Sequence, residues 1–311
     1  MKTQWRLTWL AALLAVVVSG CSRSSDRSVG AIDVPENGIV TVDVVNYPLK
    51  YFAERIGGAH VHVVFPAPAD EDPAFWMPDA ETLTAYQQSD LILLNGASYA
   101  KWTKTVSLPD TKVVDTTASV VDQYITAGET VTHTHGPGGE HAHGDTAFTT
   151  WLDPAIALAQ AEAIHQALAR LRPQHEEDFQ ENFAALRADL NRLDQELSAV
   201  VQGKSERAVF FSHPVYQYLQ RRYDLNAKSV HWEPEEVPPQ KGWEELAGLL
   251  QQHPAKWMIW EGQPSDENVQ RLAEMGMQST VFDPCGTRPT EGDFLEVMRQ
   301  NAENLKRVFA D

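Results

Sequence analysis

Short runs of β-branched and apolar residues alternate with amphipathic stretches along the chain from residue 39 onward. In the first half, the runs predict four strands and the stretches between them predict helices. The predicted strands are 41–45, 60–65, 90–96 and 111–116, and the predicted helices are YPLKYFAERIGG, MPDAETLTAYQQ and the ASYAKWTK region. Such alternation is typical of a parallel sheet covered by helices on both faces. Residues 39–172 are therefore expected to form an α/β lobe.

The same rhythm returns in the second half of the chain, over residues 204–311. The pattern predicts strands at 208–212, 228–232, 256–261 and 279–283, with helices that begin near Pro214, Pro239, Ser265 and Glu291. The fold class is therefore α/β, with two lobes that each contain a parallel sheet flanked by helices. We expect a ligand cleft between the lobes.

Two helices are predicted between these lobes. Asp153 is expected to cap a helix that begins at Pro154 and runs to about residue 172. A second helix is predicted over 173–203, roughly 46 Å long, because its apolar residues recur at spacings of four and three. They are Phe179, Phe183, Leu186, Leu190, Leu193, Leu197 and Val200. A coiled-coil dimer would show the same stripe, but one rigid helix joining both lobes explains it without a partner, so we expect a monomer.

The N-terminus has the pattern of a secretory signal over residues 1–20. Lys2 and Arg6 precede a short apolar run that ends in small residues. VSGC resembles a bacterial lipobox, in which Cys21 is acylated and becomes the first mature residue, although ordinary cleavage beside an incidental cysteine would look similar. Residues 21–38 are polar and predict a flexible tether. We expect a lipid-anchored protein of the bacterial cell envelope that faces the periplasm or the exterior.

The net charge narrows the choice of partners. It is −18, and removal of Lys2 and Arg6 with the signal takes it to −20. Such a charge opposes binding to nucleic acid or anionic lipid and favours the attraction of cations. The one other cysteine, Cys285, leaves the acylated protein no intramolecular disulfide. A soft metal ligand is one interpretation of this cysteine, and a packed free thiol is the more common one.

A histidine-rich segment, HTHGPGGEHAHG, stands just before the helix-start signal TTWLDP. Its glycines and proline exclude a regular helix or a core strand. Imidazole is a common ligand of borderline metals, so this segment predicts a metal-capture loop over 132–144, although a solvated loop without function has the same composition. The loop histidines are His133, His135, His141 and His143. His60 and His62, in the second predicted strand, are interpreted as surface residues.

Polar side chains with metal-ligand chemistry follow the strands of the second lobe. They are His213, His231, Glu261 and Asp283. Because the carboxyl ends of parallel strands meet at one edge of an open sheet, these side chains are expected to converge there. Two imidazoles and two carboxylates suit a divalent metal. The alternative for His231 and Glu261 is that they are exposed loop residues.

The lipobox, the histidine loop, WLDP, the long helix and FSHPVYQYLQRRYDL together resemble the zinc/manganese solute-binding lipoproteins of bacterial ABC importers. The resemblance implies two α/β lobes joined by a rigid helix. It also implies one metal between the lobes, which is delivered to a membrane permease and its ATPase. By this resemblance, His213 in FSHPVY and Asp283 in VFDP match two of the four metal ligands of the family.

The two ligands of the first lobe do not match this pattern. Ala74 and Thr149 stand where the family has histidines, and neither side chain replaces an imidazole as a strong ligand. We therefore expect the loop to supply at least one replacement, His143 or His141. His231 and Glu261 are the alternative replacements.

Because of the departure from the family pattern, the sequence is compatible with more than one kind of solute. Imidazole-rich coordination favours zinc, and a histidine with carboxylates favours manganese. A cleft adapted to a metal chelate or an organic solute is the alternative, because aromatic residues are expected near it. They are Phe75, Trp76, Trp151 and Trp232. An adhesin-like binding protein is a further alternative, whereas the absence of HExxH, GxSxG and phosphate-loop motifs argues against an enzyme.

Overall fold

The structure is a computed structural model that describes Met1 and residues 38–126, 132–134, 140–142 and 146–310. Beyond Met1, the predicted signal segment, Cys21 and nearly all of the predicted tether lie outside the described residues. His135 and His143 also lie outside them. His133 and His141 are described in their backbone alone.

The first lobe contains a four-stranded parallel sheet, as predicted. Its strands are β1 (Val40–Val44), β2 (Val61–Val64), β3 (Leu91–Leu94) and β4 (Val113–Asp115). They pair in the order β2-β1-β3-β4, with Val42 opposite Val63 on one side and opposite Leu91 on the other. Strand β2 lies on one side of β1, whereas β3 and β4 lie on the other, so the strand order reverses between β1 and β3. Ligands of open α/β sheets bind outside the carboxyl ends of the strands at such a switch point.

Local capping sets the start of each helix in this lobe. Helix α1 (Tyr47–Gly57) begins where the Asn46 side chain accepts a hydrogen bond from the Leu49 N–H. Asp79 caps α2 (Ala80–Gln88) in the same way. A side chain that satisfies one of the free N–H groups of the first turn typically stabilises a helix by about 1 kcal/mol. The third predicted helix is shorter than expected, since the ASYAKWTK region forms one 3-10 turn over Lys101–Lys104.

Two consecutive helices follow the histidine-rich segment. Asp153 caps α3 (Pro154–Leu171), with Pro154 at its first position, as the sequence predicts. A 3-10 turn over Pro173–His175 leads into α4 (Glu176–Val201). The predicted apolar stripe of α4 is buried along its whole length. Helix α4 packs against α1 and α3 of the first lobe and against the last helix of the second lobe.

The second lobe repeats the architecture of the first. Its strands are β7 (Val209–Phe211), β8 (Ala227–Ser229), β9 (Trp257–Trp260) and β10 (Gln278–Val281). They are parallel in the order β10-β9-β7-β8, so the switch point lies between β7 and β9. Its helices are α5 (Gln217–Tyr223), α6 (Gln240–Gln252), α7 (Asp266–Glu274) and α8 (Phe294–Val308). The two predicted parallel sheets and the long helix are therefore confirmed.

Two hydrophobic clusters stabilise the molecule. The larger one runs from the first sheet across α4 to α8, so the lobes share a continuous core. The smaller one lies within the second lobe, around Trp232, Trp243 and Trp260. In the described backbone of the histidine-rich segment, β5 (Thr132–Thr134) pairs antiparallel with β6 (Glu140–Ala142). None of the helices among the described residues is long and apolar enough to cross a membrane.

Candidate metal site

Four side chains with ligand chemistry follow the four strands of the second sheet. His213 and Glu261 stand just after the central strands β7 and β9, on either side of the switch point. Glu233 follows the edge strand β8, and Asp283 follows β10. All four line one cleft of about 420 Å3. The predicted convergence at the carboxyl ends of the strands is therefore found for His213, Glu261 and Asp283.

The closest contacts in the cleft join His213 to two carboxylates. Its Nδ1 lies 3.2 Å from Glu233 Oε1 and 3.3 Å from Glu261 Oε1. The imidazole is buried, whereas the two carboxylates keep about a fifth of their surface exposed toward the cleft. One nitrogen and two oxygens thus lie within 4.8 Å of one another, and such a set of donors is found in many divalent metal sites.

Protonation of His213 is set by the same neighbours. Burial lowers the pKa of the imidazole, but its contacts with Glu233 and Glu261 outweigh this effect and raise the pKa to about 10. A proton therefore occupies the position between the carboxylates at neutral pH. A metal ion can replace it, because a cation at this point neutralises the same two carboxylates.

Asp283 is positioned by a clamp from the last helix. The Asn301 side chain of α8 accepts a hydrogen bond from the Asp283 N–H at 2.9 Å and donates one to its carbonyl at 2.7 Å. The Asp283 carboxylate accepts a bond from the Cys285 N–H at 2.6 Å. Burial and the nearby Glu261 raise the pKa of Asp283, even though the Cys285 hydrogen bond lowers it. A cation in the cleft would stabilise the ionised carboxylate of Asp283 and offset the effect of its burial.

His231 was predicted as a further donor of the second lobe. The exposed His231 ring makes an edge-to-face contact with His213 at 5.8 Å between centroids but does not line the cleft. Glu233 was missed because the strand pattern was taken to end at Trp232. In the structure, the Trp232 N–H bonds to the Ser212 carbonyl and the indole packs into the smaller core, which leaves Glu233 on the cleft wall.

Cys285 is a packed thiol rather than part of the cleft lining. Its side chain is buried, and the residue has a left-handed backbone conformation with a φ of 57°. Burial raises the pKa of the thiol, and Asp283 raises it further. The protonated thiol is a poor metal ligand.

The first lobe contributes an acidic wall to the cleft. Asp70, Glu71 and Asp72 line it and are exposed to solvent. With the carboxylates of the second lobe and Glu235, they face a cleft whose described lining includes no lysine or arginine. The resulting negative potential attracts cations and repels anionic solutes.

The two positions that hold histidines in the family pattern, Ala74 and Thr149, have different surroundings in this structure. Ala74 is fully buried in the core and does not line the cleft. Thr149 does line it, and its hydroxyl donates a hydrogen bond to the Val215 carbonyl of the second lobe. The two lobes are thus joined beside His213 by a direct hydrogen bond. The prediction that a loop histidine replaces the missing imidazoles concerns side chains that the structure does not describe.

Aromatic residues line the first-lobe side of the cleft, although most are not those predicted. Trp151 lines it as expected and donates an indole hydrogen bond to the Pro284 carbonyl at 2.7 Å. Tyr99 and Phe148 also line the cleft and pack edge-to-face against each other. The other predicted aromatic residues, Phe75, Trp76 and Trp232, do not line it.

A buried amide network occupies the switch point of the first sheet. The Asn46 side chain, just after β1, donates to the Asn95 side chain after β3 at 3.0 Å. Asn95 donates in turn to the Phe148 carbonyl at 2.9 Å, and Gln160 of α3 donates to Asn95 at 3.1 Å. Neutral amides at this edge anchor the segment that carries Phe148 and Thr149 to the first sheet. The charged donors of the cleft therefore come mainly from the second sheet.

Comparison with known proteins agrees with this architecture. The model of the family described as zinc-uptake complex component A, periplasmic, matches residues 42–308. The zinc-binding lipoprotein AdcA of Streptococcus pneumoniae is 23% identical over 310 residues, which cover 96% of this chain and 60% of the relative. A putative metal-binding protein of Treponema pallidum is 25% identical over 315 residues, covering 97% of this chain and 96% of the relative.

Solved structures show the same fold. The crystal structure of Zn(II)-bound AdcA from Streptococcus pneumoniae superposes with a TM-score of 0.76 at 20% identity, covering 88% of this chain and 58% of that one. The chain thus spans about three fifths of the length of this streptococcal relative. Since the family model covers nearly all of the described residues, the chain belongs to the family described as zinc-uptake complex component A, periplasmic.

Proposed function

We propose that this protein captures a zinc ion in the cleft between its lobes and delivers it to an ABC importer. The observation that carries the proposal is the contact of His213 with both Glu233 and Glu261 at the switch point of the second sheet. Three donors from three strands converge there in a cleft with an acidic wall. The carboxyl edge of an open parallel sheet, at its switch point, is the usual place where a ligand binds in such folds.

The donor set fits a borderline divalent metal. Zinc accepts one imidazole nitrogen with carboxylate oxygens at about 2.0–2.2 Å. His213, Glu233 and Glu261 would hold the ion, and Asp283 would supply a further oxygen from the same wall. Manganese also accepts such a set, but zinc is favoured here because the matching family and the streptococcal relative carry zinc in their names.

The contribution of the first lobe is the second part of the proposal. A histidine of the 132–144 segment, His141 or His143, completes the coordination. The carboxylates of Asp70, Glu71 and Asp72 collect the ion at the mouth of the cleft. An acidic funnel raises the local cation concentration and the association rate without itself forming the tight site.

Delivery requires a partner in the membrane. By membership of the family, the partner is an ABC permease with its ATPase, and a lipid on Cys21 would hold this monomeric protein near it. No enzymatic step is needed, because the zinc ion is released in the same form in which it is bound.

The test uses a matched pair of glutamates on the same segment. Glu233 and Glu235 both line the cleft, but Glu233 contacts His213 and belongs to the triad. Calorimetric titration of the metal-free full chain with zinc should show at least tenfold weaker binding for Glu233→Gln, because a ligand oxygen is lost. Glu235→Gln should change the affinity by less than about threefold, as expected for a screened charge. Equal affinity in the two variants would refute the assignment.

A second candidate solute is a metal chelate. The cleft of about 420 Å3 is larger than a bare ion needs, and Tyr99, Phe148 and Trp151 provide an aromatic wall. In this case a simple zinc salt would leave the melting temperature of the chelator-stripped protein unchanged, and recovery would need a zinc complex with an organic ligand. Recovery with zinc chloride alone would exclude the chelate.

A further inference from the structure

A second group of side chains with metal-ligand chemistry lies on the surface of the first lobe. His60 precedes β2, His175 ends the 3-10 turn between α3 and α4, and Asp178 lies in the first turn of α4. One donor atom from each of them falls within 4.8 Å of the others. The group cannot be recognised in the sequence, because His60 is 118 residues from Asp178.

The position of this group separates it from the cleft. His60 stands at the amino end of its strand, whereas the cleft lies at the carboxyl ends. His175 lies beyond the far end of α3, which is capped by Asp153 and has 18 residues. At 1.5 Å per residue, this helix alone places His175 about 27 Å along the lobe from Asp153. The group therefore cannot share an ion with His213.

The two donor distances that involve Asp178 bracket the separation expected between neighbouring ligands of a tetrahedral site. His60 Nε2 lies 2.9 Å from Asp178 Oδ2, and His175 Nδ1 lies 4.0 Å from the same oxygen. Zinc with bonds of about 2.0–2.2 Å separates neighbouring donors by roughly 3.3–3.5 Å. Small side-chain rotations would bring both distances to that value. The i, i+3 spacing of His175 and Asp178 already places them on one face of the turn.

The two imidazoles are held together by packing. Their rings stack with centroids 3.8 Å apart and planes at 19°, and both contact the edge or face of the buried Phe179. A metal lies in the plane of each ring that it binds, so the rings must tilt out of the stack to share an ion. Their side chains are 28% and 31% exposed, which leaves space for this rotation on the solvent side.

The local charge favours a cation at this point. Glu176 and Glu177 precede Asp178 in the acidic first turn of α4. Two imidazoles with a carboxylate select zinc-like ions over calcium or magnesium, which prefer oxygen donors alone.

From this geometry we propose that His60, His175 and Asp178 form a second, peripheral zinc site, with water in an outward coordination position. The ion would join the segment before β2 to the turn between α3 and α4. The site lies apart from the cleft that captures the cargo, and its occupancy does not depend on that function.

The experiment maps histidine accessibility in the full chain. Diethylpyrocarbonate modifies free imidazole nitrogens, and mass spectrometry of the peptides reports each histidine separately. Saturating zinc should slow modification of His60 and His175 about tenfold, because coordination occupies the reactive lone pair. His62, exposed two residues away, should react at the same rate with and without zinc. Unchanged rates at His60 and His175 would overturn the proposal.

Variants distinguish this site from the cleft. His60→Ala should remove one zinc equivalent in calorimetric titration and abolish the protection of His175, whereas His62→Ala should do neither. His213→Ala, which disrupts the cleft, should leave the protection of His60 and His175 intact. Protection that persists in His60→Ala, or that disappears in His213→Ala, would show that the three side chains do not form a site of their own.

Discussion

The hydroxyl of Thr149, in the first lobe, donates a hydrogen bond to the backbone carbonyl of Val215 in the second. Thr149 is buried, and Val215 stands two residues after the candidate ligand His213. The position that matches a histidine ligand in the family pattern thus makes a contact between the lobes. At this position the lobes are therefore joined by a direct hydrogen bond and not by a side chain that could coordinate the metal.

Removal of this contact should destabilise the protein. In Thr149→Val, the Val215 carbonyl loses its donor while side-chain volume is kept, so the free energy of unfolding should fall by about 1–2 kcal/mol. Urea denaturation of the metal-free protein measures the change. Thr84→Val is the matched control, because the Thr84 hydroxyl is exposed and bonds within its own helix. A loss no larger than in that control would show that the contact contributes nothing to stability.

Substitution of the proposed ligands should reduce stabilisation by zinc. Zinc at about 100 times its Kd stabilises the folded protein by about 2.7 kcal/mol, and a variant that binds 100-fold more weakly keeps about 0.4 kcal/mol. We expect His213→Ala and Asp283→Ala to behave in this way in thermal unfolding with and without zinc. His231→Ala should keep the full zinc-induced shift, because His231 does not line the cleft. A full shift in both ligand variants would contradict the proposed coordination.

Zinc binding should release a proton from His213. Since its folded-state pKa is raised to about 10, the metal-free imidazole is protonated at pH 7 and must lose that proton to coordinate. Affinity should therefore rise about tenfold per pH unit between pH 6.5 and 7.5. Titrations in two buffers of different ionisation enthalpy should report about one proton per zinc. Heats that do not depend on the buffer would be inconsistent with His213 as a ligand.

The same pKa shift affects the metal-free protein. A folded pKa above the unfolded value means that protonated His213 stabilises the fold fully below about pH 6.5. This stabilisation is lost as the pH rises toward about 10. Urea denaturation of the metal-free protein across this range should show a decline in the free energy of unfolding. The part of the decline that is due to His213 should be absent in His213→Ala.

Deletion of residues 132–144 tests the contribution of the loop. Because Ala74 and Thr149 provide no imidazole from the first lobe, we expect the deletion to weaken the tight zinc site and not merely to lower the stoichiometry. Calorimetry separates the two effects. The combined variant Asp70→Asn, Glu71→Gln and Asp72→Asn serves for comparison and should slow association while preserving most of the affinity. One tight site that survives the deletion unchanged would remove the loop from the coordination shell.

Much of the fold could be predicted from residue order. Alternating short apolar runs and amphipathic stretches indicated both parallel sheets, and the stripe from Phe179 to Val200 indicated the long helix, all of which the structure contains. These features follow from local periodicity and capping, which neighbouring residues determine. His213, Glu261 and Asp283 could be found because the end of a parallel strand is itself a local feature with a known place in the sheet.

Other features depended on contacts between distant parts of the chain. Glu233 was missed because its position depends on how Trp232 packs in the smaller core, which leaves Glu233 on the cleft wall while His231 lies outside the lining. The Thr149–Val215 bond and the His60–Asp178 contact join residues 66 and 118 positions apart. Periodicity determines which face of an element is buried, whereas the packing of whole elements determines which distant side chains meet. For this protein, the sequence determined the two lobes and most of the donors at their strand ends, and the tertiary structure alone decided how those donors are grouped.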